Sequence, residues 1–282
     1  MLLAVFAILM FAGIDVGSKL LGSRMPVIQI IWLRFVFFIP LAVLLAYRPG
    51  GGVQWRSRRP WLQVVRVLIL VVEMWFFIAA FAAMPLADVH AIGAIAPLLV
   101  TALSVPFLGE RVGWRRWAAV GVGFLGMMVI LRPGFTAIGL ATIYAVVGAS
   151  LWAVYQIVLR VIGRIDSAET TALWTTLVGA AATSLVGPVF WTPPDAAGWL
   201  ILVAVTLLGG FGHMVYSRAF TLAPASTLQP FTYLLLVFAT LFGWLIFGDL
   251  PDVVTMMGAA LIVASGLYTF HRERVRAAQR GG

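Results

Sequence analysis

The chain has 282 residues, of which 62% are hydrophobic and 10% charged, against roughly 45–50% apolar and 25% charged in soluble domains, so its composition is that of a membrane protein. Cysteine is absent, which excludes disulfides, thiolate metal sites, iron–sulfur clusters and cysteine nucleophiles; asparagine is absent too, which removes any N-glycosylation acceptor. The formal charge of +9 comes largely from arginines in short stretches between apolar runs, a distribution that the positive-inside bias explains without nucleic acid.

A bilayer core about 30 Å thick takes about 20 apolar residues per helix. Runs of that length, separated by Gly, Pro and charge, predict spans over 2–21, 26–47, 61–83, 88–109, 114–131, 137–162, 167–190, 197–223, 224–247 and 252–270. The first run has neither the basic flank nor the small-residue cleavage site of a signal peptide and is expected to remain as a span. The fold class is therefore all-α and polytopic, with ten transmembrane helices. Placing alternate connections on opposite sides gathers Arg48, Arg56, Arg58, Arg59, Arg111, Arg115, Arg116, Arg160, Arg164 and the tail arginines 272, 274, 276 and 280 on one side. The other side keeps Arg24 and Arg132 beside Asp88, Asp195, Asp249 and Asp252, so both termini are expected in the cytoplasm.

Pro85-Leu86-Ala87 and Gly109-Glu110 recur as Pro224-Ala225-Ser226 and Gly248-Asp249, a shift of 139 residues. This marks an internal duplication, residues 1–134 and 135–282, the second part ending in a short basic tail. Five helices per half is an odd number, so the second half enters the membrane inverted, and the two connections agree: that after Gly109-Glu110 is arginine-rich, that after Gly248-Asp249 acidic. Inverted repeats suit transporters, because two like halves can exchange conformations and so alternate access.

Several motifs, taken in order, resemble the EamA-type members of the drug/metabolite transporter superfamily, ten-helix proteins built of two inverted five-helix repeats. They are Lys19 ending helix 1, Pro26 followed by Arg34 in helix 2, Ala96-Pro97-Leu98, Gly109-Glu110-Arg111, Leu151-Trp152, Gly248-Asp249-Leu250-Pro251, and Gly258 followed by Gly266. The resemblance covers nearly the whole chain. It implies a carrier in the bacterial inner membrane for amino acids, vitamins, nucleotide-related metabolites or drugs.

Ionisable residues inside spans cost roughly 2.5–3.5 kcal/mol or more when facing lipid, so they line a path or pair in the interior. At 1.5 Å per residue, Asp15, Arg34 and Glu73 fall at nearly one level, roughly 18–20 Å from the inner face. Asp15 and Lys19 share a helix face, so Lys19, the chain's one lysine, either neutralises Asp15 or reaches outward. Arg34 and Lys19 are expected to attract a carboxylate, and Glu73 an amine or a proton; the alternative is an ion-pair network that fixes three helices, with Arg34 bonded to Asp15. His213, following Gly209-Gly210 and Gly212, is a candidate cavity wall or an interhelical hydrogen bond. His90 and Gln229 are explained by interfacial solvation. Trp152, Tyr155, Gln156, Trp174 and Tyr233 suit a cavity for an amphipathic or cationic metabolite, or else ordinary packing. Pro97 and Pro230 are expected as hinges. Small residues Gly123, Gly126, Ala260 and Ala264 are expected to let helices 5 and 10 pack closely, outside the cavity.

The expected function is secondary transport of a small organic metabolite by alternating access, with amino-acid or related export foremost and uptake of a vitamin or cofactor such as riboflavin or S-adenosylmethionine as the alternative. The expected partners are the substrate, the lipid bilayer and protons, with a homodimer left open and no nucleic acid. No metal or cofactor is expected. The three histidines lack ligand spacing for a membrane enzyme, no selectivity filter of a channel is readable, and no Walker loop for nucleotide drive occurs.

Overall fold

The structure, a computed structural model, describes the backbone of residues 2–48, 52–109, 112–132, 139–222 and 229–281, with side chains except at 48, 213, 214, 216–222, 229, 230 and 272–281. In order, the helices are α1 (Leu2–Gly22), α2 (Val27–Ala46), α3 (Pro60–Ala83), α4 (Leu86–Gly93), α5 (Ala96–Leu108), α6 (Trp114–Leu131), α7 (Leu140–Ile162), α8 (Ala168–Ser184), α9 (Ala196–Leu222), α10 (Leu234–Phe242) and α11 (Val253–Gly281). A two-residue hairpin, β1 (Tyr47–Arg48) with β2 (Gly52–Val53), follows α2. Seven apolar stretches among the described residues are long enough to cross a bilayer, α4 and α5 together forming one; Ala196–Gly212 and Phe231–Phe247 are shorter apolar stretches.

Local chemistry sets the ends. Pro85 precedes α4, where a proline does not continue a helix. Ser167 accepts from the Thr170 amide at 3.2 Å, Asp195 from Gly198 at 2.7 Å and Asp252 from Thr255 at 2.7 Å, capping α8, α9 and α11. The two recurring glycines share a role: Gly109 (φ 66°) ends α5, and Gly248 (φ 72°) ends the π-turn Gly243–Phe247 after α10, both in the left-handed conformation that a Cβ disfavours.

The side chains are arranged for an apolar solvent. Leu44, Phe124, Leu125, Leu200, Val237 and Trp244 stand on the surface, whereas Gln29, Gln63, Arg66, Glu73, Thr176 and Thr183 are buried. The most extensive packing joins α1 to α9, α2 to α8, α3 to α7 and α6 to α11, so each close pair takes one helix from either part of the sequence. One core cluster unites Ile14 and Leu21 of α1, Ile30 and Leu33 of α2, Ile78 of α3, and Leu202 and Val205 of α9. A second unites Val16 of α1, Phe81 of α3, Leu86 and Val89 of α4, Ala145 of α7 and Ala239 of α10. Helix α1 belongs to both, which puts Asp15 at the centre of the bundle.

Three expectations are modified. The predicted span 88–109 is two helices, interrupted at Ala94 and Ile95, with Pro97 in the first turn of α5 where its missing N–H costs nothing. Span 167–190 ends its α-helix at Ser184 and closes in a 3₁₀ turn, Gly187–Phe190. Span 224–247 is described from 229 onward as a 3₁₀ turn, Gln229–Tyr233, then α10 and the π-turn; Pro230 lies in that 3₁₀ turn and its side chain is outside the described residues.

Close packing of α6 on α11 uses Gly126 against Gly258, while Ala260 and Ala264 are exposed. Helical periodicity turns the face carrying Gly258, Ile262 and Ser265 inward and the two alanines away from it. A Cβ on Gly126 meets the Gly258 carbonyl oxygen at 2.7 Å and Ile262 Cγ1 at 2.9 Å, whereas one on Gly121 meets nothing within 4 Å. Gly126→Ala is therefore expected to cost about 1–3 kcal/mol through overpacking and to lower the thermal midpoint in detergent, with Gly121→Ala neutral or stabilising. Equal midpoints for the two variants would refute this helix contact.

Candidate functional site

Glu73 lies midway along α3 with 6% of its surface exposed, and makes no hydrogen bond to another described side chain. The charges that act on it are those of Asp15 and Arg34. Arg34 of α2 donates to Ser18 Oγ of α1 at 3.5 Å, a long bond, and forms no ion pair with a described carboxylate. The expected bond from Arg34 to Asp15 is thus not formed. Asp15 instead has His90 beside it, Oδ2 to Nε2 at 3.1 Å, with the ring not aligned for a hydrogen bond. The ring also lies 5.4 Å from that of Phe81.

Its position near a helix start predicts interfacial solvation for His90. The contact of α4 with α1 brings it inward, so that 11% of its side chain is exposed. The available signal was depth: α4 starts at the end of the bundle where α1 and α3 finish, and a residue one turn into it approaches the level of Asp15 on α1. Lys19 takes the outward course. Its Nζ bonds Asp249 Oδ2 at 3.1 Å and the Met84 carbonyl at 2.9 Å, and lies 4.8 Å from the centre of the Phe247 ring.

Lys19 belongs to a polar belt at the end of the bundle where α1 and α3 finish. Arg24 bonds Asp195 at 2.9 Å, Arg132 pairs with Asp252, and Trp32 donates to Ser184 Oγ at 2.8 Å. Gln29 and Thr192 exchange two bonds of 2.8 Å. Asp88 adds a buried carboxylate oxygen without a described partner.

Toward the other end of α3 sits a group that sequence reading passed over. Arg66 is fully buried and donates to Gln63 Oε1 at 2.9 and 3.2 Å, Tyr155 Oη at 3.1 Å, the Thr171 carbonyl at 3.1 Å and Thr175 Oγ1 at 2.7 Å. Its pattern was available, since Gln63, Arg66 and Glu73 recur at three and seven residues on one face of α3. Tyr155 is therefore engaged by Arg66, and Trp152 stacks on it with centroids 5.2 Å apart. Gln156 is half-buried on the same helix.

Trp174 is drawn to the hairpin side, donating to the Trp55 carbonyl at 2.8 Å. The Tyr233 hydroxyl is buried without a described partner, against Gly266 of α11. His213 falls in α9 with its side chain outside the described residues.

Below Arg66, Gln63 Nε2 donates to Asp166 Oδ2 at 2.9 Å, and Asp166 also accepts from Ser57 Oγ and, at 3.0 Å, the Arg58 amide. Burial pushes this carboxyl up, but the three hydrogen bonds and the Arg58 charge outweigh it and hold the group below the usual carboxylate range. The site thus combines two arrangements: a saturated clasp around Arg66, and a set of ionisable groups at Asp15, Arg34, Glu73 and His90 that is incompletely paired. No cluster of three metal-ligating residues occurs among the described residues.

Removing Arg66 orphans acceptors on Gln63, Tyr155 and Thr175. Arg66→Met is expected to cost about 2 kcal/mol of stability, and Arg34→Met less than about 1 kcal/mol, since only the long bond to Ser18 is lost; thermal unfolding in detergent separates the two. Asp166, lowered in the folded state, stabilises fully above about pH 4 and loses that contribution as pH falls through its folded value. Acidification from about pH 5 to 3 should therefore lower the wild-type thermal midpoint more steeply than that of Asp166→Asn, and parallel slopes would remove Asp166 as a tie.

The sequence profile of the EamA-like transporter family matches residues 1–132 and again residues 139–270. The chain is 32% identical over 247 residues to a riboflavin transporter of Rhizobium johnstonii, covering 86% of this chain and 79% of that one. It is 26% identical over 260 residues to an S-adenosylmethionine uptake transporter of Rickettsia prowazekii, covering 92% and 88%. It is 29% identical over 269 residues to a pseudopaline exporter of Pseudomonas aeruginosa, covering 94% and 93%. A solved structure described only as the crystal structure of a protein shares the fold, with a TM-score of 0.63 at 20% identity over 94% of both chains.

Proposed function

The chain belongs to the EamA-like transporter family, and we propose that it is a secondary carrier of small zwitterionic metabolites, working by alternating access in the inner membrane. It is a multi-pass membrane transporter and not an enzyme, as its family and relatives indicate. In our reading it has ten spans in two inverted repeats, 1–134 and 135–282, with both termini in the cytoplasm. The double match of the family profile supports this, as does the shared left-handed ending at Gly109 and Gly248. Packing supports it as well. Exchanging the halves turns α1 on α9 into α7 on α3 and leaves α2 on α8, α6 on α11 and α4 on α10 unchanged, and all of these pairs are present.

The observation that carries the substrate reading is that Arg34 and Glu73, opposite charges at the centre of the bundle, have no ion pair with a described residue although each lies in the other's field. A buried charge left unpaired is costly. A ligand with a carboxylate for Arg34 and an ammonium for Glu73 relieves both, and the Asp15 and His90 pair beside them offers a place for a coupling proton. Amino acids and their derivatives have that form, and export is our first reading of direction. Uptake of a cofactor is the second, favoured by the riboflavin and S-adenosylmethionine relatives and by the Trp152 and Tyr155 stack as a platform for a flat ring.

The test is counterflow in proteoliposomes with labelled amino acids, S-adenosylmethionine and riboflavin. Glu73→Gln keeps the shape but loses the charge, and should cut transport of an amine-bearing substrate about 10- to 100-fold with folded protein retained, the range for one charge-assisted hydrogen bond. Unchanged rates and pH profile would reduce Glu73 to packing.

A further inference from the structure

On the bundle's outer surface, away from the central charges, α6 and α11 frame a groove of about 380 Å³. The groove has a physical origin. The two helices touch through Gly126 and Gly258, and toward the start of α6 the exposed flank of that contact is lined by small residues, Ala118 and Ala264, between large ones, Trp114 and Tyr268. Its walls are apolar apart from Ser265, and among the described lining residues Arg115 is the one cation.

Three properties identify what this groove accommodates. First, Arg115 is exposed, lies 5.4 Å from the Trp114 ring centre and forms no ion pair with a described carboxylate. Secondly, Trp114 is 75% and Tyr268 45% exposed; both have an apolar body and a polar tip, the combination that settles where hydrocarbon gives way to headgroups. Thirdly, the groove runs from that level into the membrane: Val122 stands eight residues beyond Trp114, about 12 Å along the helix axis. A cation with aromatic donors at the top and an apolar channel beneath match an amphiphile with an anionic head and a hydrocarbon tail. A second copy of the chain fits less well, since a two-fold contact here brings two Arg115 cations together.

We propose that this groove binds an anionic phospholipid, the phosphate at Arg115 and Trp114, one acyl chain along Ala118, Val122 and Ala264. The arginine-rich end of the bundle, with the arginines 272, 274, 276 and 280 in the last part of α11, is the side the positive-inside bias assigns to the cytoplasmic leaflet. The proposal concerns lipid alone and holds whichever metabolite is carried.

The full chain in nanodiscs of equal phosphatidylglycerol and phosphatidylcholine, released and examined by native mass spectrometry, gives the test. Wild type should retain phosphatidylglycerol over phosphatidylcholine by about fivefold, the ratio expected from one arginine beside a charged headgroup. Arg115→Gln should bring that ratio to near unity with an unchanged thermal midpoint. Arg56→Gln, on the inner connection outside the groove, should leave it as in wild type, and Ala118→Trp should displace both lipids by filling the channel. No preference in wild type, equal loss in Arg56→Gln, or a preference that survives in Arg115→Gln or Ala118→Trp overturns the proposal. So does a wild-type dimer that Ala118→Trp dissociates in phosphatidylcholine alone, since the groove is then a contact between copies.

Discussion

A charge exposed to hydrocarbon costs at least roughly 2.5–3.5 kcal/mol, and this protein places Asp15, Arg34, Arg66, Glu73 and His90 within its apolar helices. Keeping them from lipid requires a bundle with an interior of its own. The pairing of early helices with late ones provides it: α1, α2 and α3 each have a partner from the second half of the sequence at their side, and the polar groups are enclosed between them. Leucine, phenylalanine and valine are then left for the outer surface, the reverse of a soluble protein.

Within that enclosure the buried cations are treated in opposite ways. Arg66 has acceptors on every guanidinium nitrogen, although none is a carboxylate, and such a neutral cage fixes α3 against α7 and α8. Arg34 has one long bond and opposing charges in its neighbourhood without contact. A saturated group has nothing left to offer a ligand. An unsaturated one in the same bundle does, and this difference, rather than burial itself, separates scaffold from site.

Much of the fold was legible because length and apolarity suffice to locate a helix in a bilayer: α1, α2, α3 and α6 lie within a residue or two of the predicted runs. Depth along a helix was legible for the same reason, which is how Asp15, Arg34 and Glu73 were placed together. Partner choice was not. It depends on how each helix is rotated and which neighbour it meets, and neither is written in hydropathy. Asp15 was expected to meet Arg34 or Lys19 and meets His90; Tyr155, expected either beside substrate or in ordinary packing, is bound by Arg66; Trp174 is held by the Trp55 carbonyl of the chain between α2 and α3. The small residues of α11 show the same limit at finer scale, since periodicity alone did not reveal whether Gly258 or Ala260 faces α6.

The polar belt at the ends of α1 and α3 also bears on how the chain is made. Lys19 is joined to an aspartate 230 positions later, Arg24 to one 171 later, and Arg132 to one 120 later. A ribosome delivers the cations first. Until Asp249 emerges, the segment carrying Lys19 is in the membrane without its acid, and the glutamine at 29 likewise waits for Thr192. The first five segments are therefore an incomplete body during synthesis, and truncation anywhere before Asp249 leaves Lys19 without the acid that answers it in the finished chain.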